Sequence, residues 1–152
     1  IQLLDSNKIK YQALEHEPTP TCEDSARVRG TSMDQGAKAL ICFGDKKPIL
    51  IVLPCSTKLD VKRFKQQYNI KDLRFATPQE VENLTGLQIG AIPPFGSLFA
   101  IPTYVEKNLG TNKTIAFNAG DRCKSIIMKY IDYEQVSGGI IGQYAAQTQT
   151  AN

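Results

Sequence analysis

The chain has 152 residues, 41 % hydrophobic and 22 % charged, with a formal net charge of +3. That is one domain of common size, long enough to bury about two-thirds of the surface its unfolded form exposes, with the balance of an ordinary soluble globular protein. No run approaches the roughly 20 apolar residues a membrane span needs, and Ile1-Gln2-Leu3-Leu4-Asp5 does not read as a signal peptide, so no membrane partner is expected. The chain does not begin with Met, which allows for an upstream segment. Cys22, Cys42, Cys55 and Cys123 lie far apart, without a C-x-x-C pair and with one histidine to help. Neither a zinc site nor a disulfide framework is expected, and a reducing, cytoplasmic setting follows, with an organelle left open.

Residues 1–7 read as the end of a helix and residues 11–15 as a short extended segment, followed by the proline-flanked loop His16-Glu17-Pro18-Thr19-Pro20. Thr21 can cap a helix whose acids, Glu23 and Asp24, suit its positive end, and Gly30 closes it. Two apolar runs, 37–43 and 48–53, separated by Gly44-Asp45-Lys46-Lys47, make a β-hairpin pattern. Alternate strand side chains share a face, so Lys38 points with Leu40 and Cys42, an ammonium beside apolar neighbours. Two readings stay open. The lysine snorkels out to water, or it is aimed into a pocket, where poor solvation makes it a stronger partner for phosphate, ribose or carbonyl oxygen.

The pattern Thr57-Lys58-Leu59-Asp60 predicts a capped helix running to about Tyr68. Val61, Phe64 and Tyr68 fall on one side of it, and Lys58, Lys62 and Lys65 form an adjacent basic stripe. Residues 58–74 hold six bases and two acids, a net of +4, so the remainder of the chain sums to −1. Charge this local suits a surface that meets a polyanion, although a solvated helix face gives the same pattern.

Leu73-Arg74-Phe75-Ala76 reads as a strand, and Thr77-Pro78-Gln79-Glu80 combines a cap, a proline at the first helical position and a capping-box glutamate, with Gly86 closing the helix. Next comes Gly90-Ala91-Ile92-Pro93-Pro94-Phe95-Gly96. Proline fixes its φ at about −65° and restricts the residue before it, while glycine allows positive φ and close approach of another molecule. Such a loop can offer its peptide groups to a ligand, with a rigid helix-to-strand turn as the plainer alternative. Residues 97–101 are apolar enough for a buried strand, and residues 104–109 fit a short helix or an edge strand. Residues 114–118 and 124–130 form a strand pair around Asn118-Ala119-Gly120-Asp121. Residues 132–136 give a last helical turn, Gly138-Gly139 ends the compact part, and 144–152 reads as a flexible tail. About six strands and four or five short helices, joined by hairpins and short loops, predict a single α+β domain with a mixed, mostly antiparallel sheet and surrounding short helices.

Five pieces in order carry a resemblance: His16-Glu17-Pro18 with Thr21; Gln35-Gly36-Ala37-Lys38-Ala39-Leu40; Phe75-Ala76; the Gly90 to Gly96 loop; and Phe117-Asn118-Ala119-Gly120 followed by Ser125-Ile126. Over residues 1–143 the chain resembles the YbaK/prolyl-tRNA synthetase-associated family of aminoacyl-tRNA deacylases. The resemblance implies hydrolysis of the ester between a wrong amino acid and the 3′-terminal adenosine of tRNA. It implies no cofactor and no metal, with the acceptor end of mischarged tRNA as partner and an aminoacyl-tRNA synthetase as a second candidate. Lys38 is then the essential lysine that holds and polarises the aminoacyl-adenosine end, and the loop from Gly90 to Pro94 contacts the ester or the attacking water through its backbone. Thr21, Ala91, Ile92, Pro93, Phe95, Asn118, Ala119, Gly120 and Ser125 are the expected substrate contacts, and Lys58, Lys62 and Lys65 the contacts to the tRNA backbone. One cation and fixed peptide dipoles suit an ester, which already has a good leaving group. For His16 a structural role outweighs that of general base, and Cys22 is a further candidate to face the pocket. Relatives that clear alanine carry asparagine after the lysine and a histidine on the later strand, where this chain has Ala39 and Phe117-Asn118. Those that clear cysteine carry an aspartate near Ser125. The amino acid removed stays open, a small side chain such as serine or threonine being one option. An editing domain appended to a longer synthetase and a non-catalytic module that binds tRNA or a synthetase are the alternatives.

Overall fold

The computed structural model describes residues 2–17, 26–27 and 30–146. The helix expected from Thr21 lies almost wholly outside the described residues, as do Thr21 and Cys22 themselves. Eight strands are described: β1 Tyr11–Glu15, β2 Ala37–Gly44, β3 Lys47–Pro54, β4 Leu73–Phe75, β5 Thr103–Glu106, β6 Thr114–Asn118, β7 Lys124–Lys129 and β8 Ile140–Gly142. Four α-helices accompany them: α1 Gln2–Ser6, α2 Val61–Gln67, α3 Pro78–Thr85 and α4 Tyr130–Ser137. The domain is α+β, as expected, but its strands form two sheets rather than one. The first is antiparallel with order β1-β7-β6, and the second is mixed with order β4-β2-β3-β5-β8, where β3/β5 and β5/β8 run parallel. Among the described residues a parallel bridge between Gly36 and Ala116 joins the two sheets.

Burial on both faces of the second sheet explains the continuous apolar run of β3. Leu50 and Val52 enter a core shared with Ile115, Phe117, Ile126 and Met128, whereas Ile51 and Leu53 enter a second core with Cys42, Phe64 and Tyr144. Each fully buried side chain of this kind contributes about 1.5–3 kcal/mol relative to exposure. The β2–β3 hairpin turns at Asp45 and Lys46, both at positive φ (47° and 72°), the two-residue turn whose twist matches its strands. The Asp45 carboxylate accepts from the backbone N–H groups of Asp72 at 2.9 Å and Lys71 at 3.1 Å. Those two bonds, Asp72 first, hold its pKa below the ordinary value.

The capping box of α3 is present as expected: Thr77 accepts from the Glu80 N–H, the Glu80 carboxylate accepts from the Thr77 N–H, and Gly86 ends the helix. Four expectations are corrected. Asp60, not Thr57, caps α2 by accepting from the Arg63 N–H, while the Thr57 N–H and hydroxyl both turn back to the Pro54 carbonyl. Residues 97–101 are not a strand. Gly96–Phe99 is a 3₁₀ turn, fixed where the Gly96 N–H donates to Thr103 Oγ1 at 2.8 Å, and a Cβ at Gly96 would lie 2.4 Å from that oxygen. The segment after it is an interior strand, β5, followed by a 3₁₀ turn, Lys107–Thr111, rather than an edge element. Finally, the compact part does not stop at Gly138-Gly139. β8 follows, Tyr144 is fully buried, and Ala145 bridges to Leu59, because the buried Glu106 carboxylate accepts from the N–H groups of Tyr144 and Ala145.

The cysteines also depart from expectation. Cys42 and Cys123 are free, but Cys55 is disulfide-bonded, with its partner outside the described residues. Spacing along the chain does not report approach in space. Burial pushes the Cys42 thiol up to about 12, which makes it an inert core group. Among the described residues no helix is long and apolar enough to cross a membrane.

Candidate active site

The loop after α3 is held at both ends. At its far end the Pro94 carbonyl accepts from the buried Tyr133 hydroxyl at 2.7 Å, and the Phe95 ring packs edge-on against Tyr133 (5.1 Å between centroids) and Phe117 (5.6 Å). At its near end three consecutive carbonyls are bound by the β6–β7 connection. Arg122 donates to the Ile89 carbonyl, the Asn118 amide to the Gly90 carbonyl, and the Gly120 N–H to the Ala91 carbonyl at 2.9 Å. In a trans peptide the N–H points opposite to the C=O. Pinning the carbonyls of Ile89 and Ala91 therefore turns the N–H groups of Gly90 and Ile92 away from the β6–β7 connection, and neither N–H meets an acceptor among the described residues. Gly90 adopts φ +87°, a conformation that residues with a Cβ rarely take. The result is a preformed pair of backbone donors on a stiffened loop.

Under the loop lies a cavity of about 130 Å³, lined among others by Leu4, Pro93, Phe95, Phe117, Ala119 and Ile126. Of the expected substrate contacts, Pro93, Phe95 and Ala119 line this cavity. The side chains of Ala91 and Ile92 are buried at 2 % and 5 % exposure and do not line it, which makes them supports of the loop. Asn118 and Ser125 face each other across β6 and β7. Ser125, 1 % exposed, sits 2.7 Å from His16 Nε2, while His16 Nδ1 lies 2.7 Å from the Glu17 carbonyl. That carbonyl can only accept, so in the neutral imidazole Nδ1 carries the proton and Nε2 accepts from the Ser125 hydroxyl.

Lys38 behaves as the strand alternation requires. Ala37, Ala39, Ile41 and Phe43 join the core beneath the loop, whereas Leu40 and Cys42 join the second core. On that second side the Lys38 ammonium donates to the Thr57 carbonyl. Burial first, and the nearby Lys58 charge second, lower its pKa. It does not line the cavity under the loop. Along the chain it is tied to the β6 end by the Gly36–Ala116 junction: β2 and β6 leave it in parallel, and Lys38 and Asn118 each lie two residues beyond. The basic stripe is altered too, because the later start of α2 leaves Lys58 outside the helix. Lys62 and Lys65 remain together and line an open groove of about 510 Å³ with Gln66 and Asn69.

Sequence reasoning missed Arg122 and could not foresee the partner of His16. The arginine two residues past Gly120, in a turn opposite a proline loop, was a readable signal. The His16–Ser125 contact, spanning 109 positions, was not.

This α+β domain, with its clamped proline loop and its half-buried strand lysine, matches known proteins over most of its length. The aminoacyl-tRNA editing domain family matches residues 16–136, and the chain belongs to that family. Among curated relatives, the multifunctional Ser/Thr-tRNA deacylase ProXp-y of Escherichia coli (strain K12) is 34 % identical over 146 residues, covering 90 % of this chain and 85 % of that protein. The prolyl-tRNA editing protein ProX of Acetoanaerobium sticklandii is 27 % identical over 142 residues, covering 90 % and 87 %. A crystal structure described provisionally as a trans-editing enzyme for prolyl tRNA synthetase superposes with TM-score 0.83 at 24 % identity, covering 95 % and 93 %, and shows the same fold.

Proposed function

We propose that this chain hydrolyses the ester of mischarged aminoacyl-tRNA, removing a small amino acid, serine or threonine, from the 3′-terminal adenosine. The observation that carries the reading is the clamp on the Ile89, Gly90 and Ala91 carbonyls, which leaves the Gly90 and Ile92 N–H groups as donors for a developing oxyanion. Donors preorganised in this way stabilise a tetrahedral intermediate without reorganising as charge develops, and loss of one typically costs about 2.7–4 kcal/mol of barrier. Attack by water on the ester carbonyl forms the new C–O bond and places negative charge on the carbonyl oxygen, and collapse breaks the bond to the ribose oxygen, which leaves as a hydroxyl with the proton the water gives up. Asn118, Ala119, Gly120 and Ser125 shape the end of the site that receives the aminoacyl group.

In this reading Lys38 takes the phosphate or ribose next to the ester rather than the ester carbonyl itself, a role supported by its partial desolvation and the nearby Lys58 charge. Lys62 and Lys65 offer a groove to the tRNA backbone farther along. The choice of serine or threonine is supported by the name of the E. coli relative. Such clearance would answer a real need, since a hydrophobic pocket rejects a near-isostere that adds a hydroxyl by only about 10²-fold. Residues 1–143 would hold the functional unit, fastened by the segment through Ala146.

The test is single-turnover deacylation of tRNAs charged with serine, threonine, alanine or cysteine, comparing wild type with Lys38→Ala. Wild type is expected to clear at least one of the hydroxyl amino acids, with Lys38→Ala about 100-fold lower in kcat/KM, or about 2.7 kcal/mol of transition-state binding. A wild-type protein that binds tRNA but clears nothing would instead mark a non-catalytic module.

A further inference from the structure

Phe75 is 54 % exposed, whereas the other five phenylalanines and the six tyrosines, all among the described residues, are buried or half-buried. A lone exposed apolar side chain needs no explanation; the surroundings of this one do. β4 pairs with β2 so that Phe75 stands directly opposite Cys42, and opposed residues share a face of the sheet. That face also carries Lys38 and Leu40, so the ring lies on the Lys38 side, four strand positions or about 13 Å along. Phe75 walls a small pocket with Leu59 and Val61, and Val61 also lines the groove of Lys62 and Lys65. Lys38, the ring and the two groove lysines therefore follow one another along one side of the second sheet. The short strand beneath the ring is held in place. Arg74 opposes Phe43 on the other face, with its guanidinium 4.6 Å from that ring and bound by both Glu80 oxygens at 2.7 Å, and the Ala76 N–H donates to the Ile41 carbonyl at 2.9 Å. The acids nearby are engaged, Glu80 with Arg74 and Asp60 with the Arg63 N–H that it caps.

We infer that Phe75 is a platform on which an unpaired base near the 3′ end of tRNA stacks, between the end of the strand held by Lys38 and the backbone held by Lys62 and Lys65. The inference rests on the deacylase reading above, which brings that end of tRNA to this face. Single-stranded nucleic acid is held by cations that follow its phosphates and by ring faces on which bases stack, a contact open to any base. An aminoacyl-tRNA presents such an unpaired strand at the end that carries the ester. Lysines on both sides of one exposed ring suit this strand better than a protein partner, since protein interfaces are depleted in lysine.

The experiment measures the affinity for uncharged tRNA, and kcat and KM on a cleared aminoacyl-tRNA, for Phe75→Ala, Phe75→Leu and Phe75→Tyr, each beside a thermal melt. Phe75→Ala is expected to weaken tRNA binding and raise KM about 10-fold with kcat within about 2-fold of wild type, since a base stacked alike in ground and transition states contributes uniform binding. Phe75→Tyr keeps the ring and should match wild type, whereas Phe75→Leu keeps apolar bulk without a π face and should fall with Phe75→Ala. The slope of affinity against salt should stay unchanged in all three, because no phosphate contact is lost, while Lys62→Glu should lower it. Abasic nucleotides placed in turn at the unpaired 3′ positions should include one that costs wild type about 10-fold and Phe75→Ala nothing further. Should Phe75→Ala fail to fold, Phe75→Leu and Phe75→Tyr make the same comparison. An active wild type whose tRNA affinity and KM persist in Phe75→Ala, or for which leucine serves as well as tyrosine, would overturn this inference alone. A wild type that binds tRNA but clears nothing would overturn the deacylase reading, and the binding and abasic comparisons would still decide the stacking. A wild type that neither binds nor clears tRNA would overturn both.

Discussion

Gly90→Ala is expected to lower deacylation about 100-fold while leaving the folded state nearly as stable as wild type. At φ +87° a residue with a Cβ is strained by about 1–3 kcal/mol, and the new methyl would stand 3.5 Å from Arg122 Nε, against the group that clamps the preceding carbonyl. The loop can relieve that strain by rotating the Ile89 and Gly90 peptides, since Gly90 is exposed and no core side chain depends on it. Rotation releases the carbonyls from Arg122 and Asn118 and misdirects the Gly90 N–H. Single-turnover deacylation beside a thermal melt separates the two effects. Retained activity in Gly90→Ala would mean that the direction of that N–H does not matter to the reaction.

The largest effect on stability is expected at Glu106, far from the loop. Its side chain is 1 % exposed; one carboxylate oxygen accepts from the Tyr144 and Ala145 N–H groups at 2.7 Å each, and the other accepts from Asn108 at 2.8 Å. Glu106→Ala leaves three backbone donors without an acceptor, of which those at Tyr144 and Ala145 are buried. The expected loss is about 3–5 kcal/mol, out of the roughly 5–15 kcal/mol by which such domains are stable. The aromatic cluster of Phe64, Tyr68, Tyr104 and Tyr144 would open with it, because Tyr144 is seated by those bonds. Glu106→Gln, which keeps the size and one acceptor oxygen, should lose less. Urea titration reads both, and a Glu106→Ala variant within 1 kcal/mol of wild type would contradict this view of the C-terminal segment.

What could be read from the residues was set by local chemistry. The β2–β3 hairpin, the Thr77–Glu80 capping box and the Gly86 stop follow from turn and cap preferences acting over four or five positions, and all three are present. Failures came where two local solutions were equally good or where the partner was remote. Thr57 and Asp60 are both fair caps, and the Thr57 hydroxyl was taken by the Pro54 carbonyl. Residues 97–101 have the composition of a strand, but Gly96 is drawn to Thr103 and the backbone closes into a 3₁₀ turn that leaves Leu98 half exposed. At the site, the stiffness of Gly90 to Gly96 was legible, and so was the face that Lys38 takes. The bond from Lys38 to the Thr57 carbonyl, the Arg122 clamp and the His16–Ser125 pair depend on how the two sheets meet at Gly36 and Ala116, which no short stretch of sequence encodes.

The central claim is that the Gly90 loop and Lys38 hold opposite ends of one aminoacyl-adenosine. It is tested most directly by titrating the isotopically labelled protein with 3′-seryl-amino-3′-deoxyadenosine 5′-monophosphate, in which an amide replaces the ester, and following the Gly90 and Ile92 amide resonances together with the Lys38 side chain. All three should move along a single saturation curve. Movement of the loop with Lys38 unchanged, or of Lys38 with the loop unchanged, would contradict it.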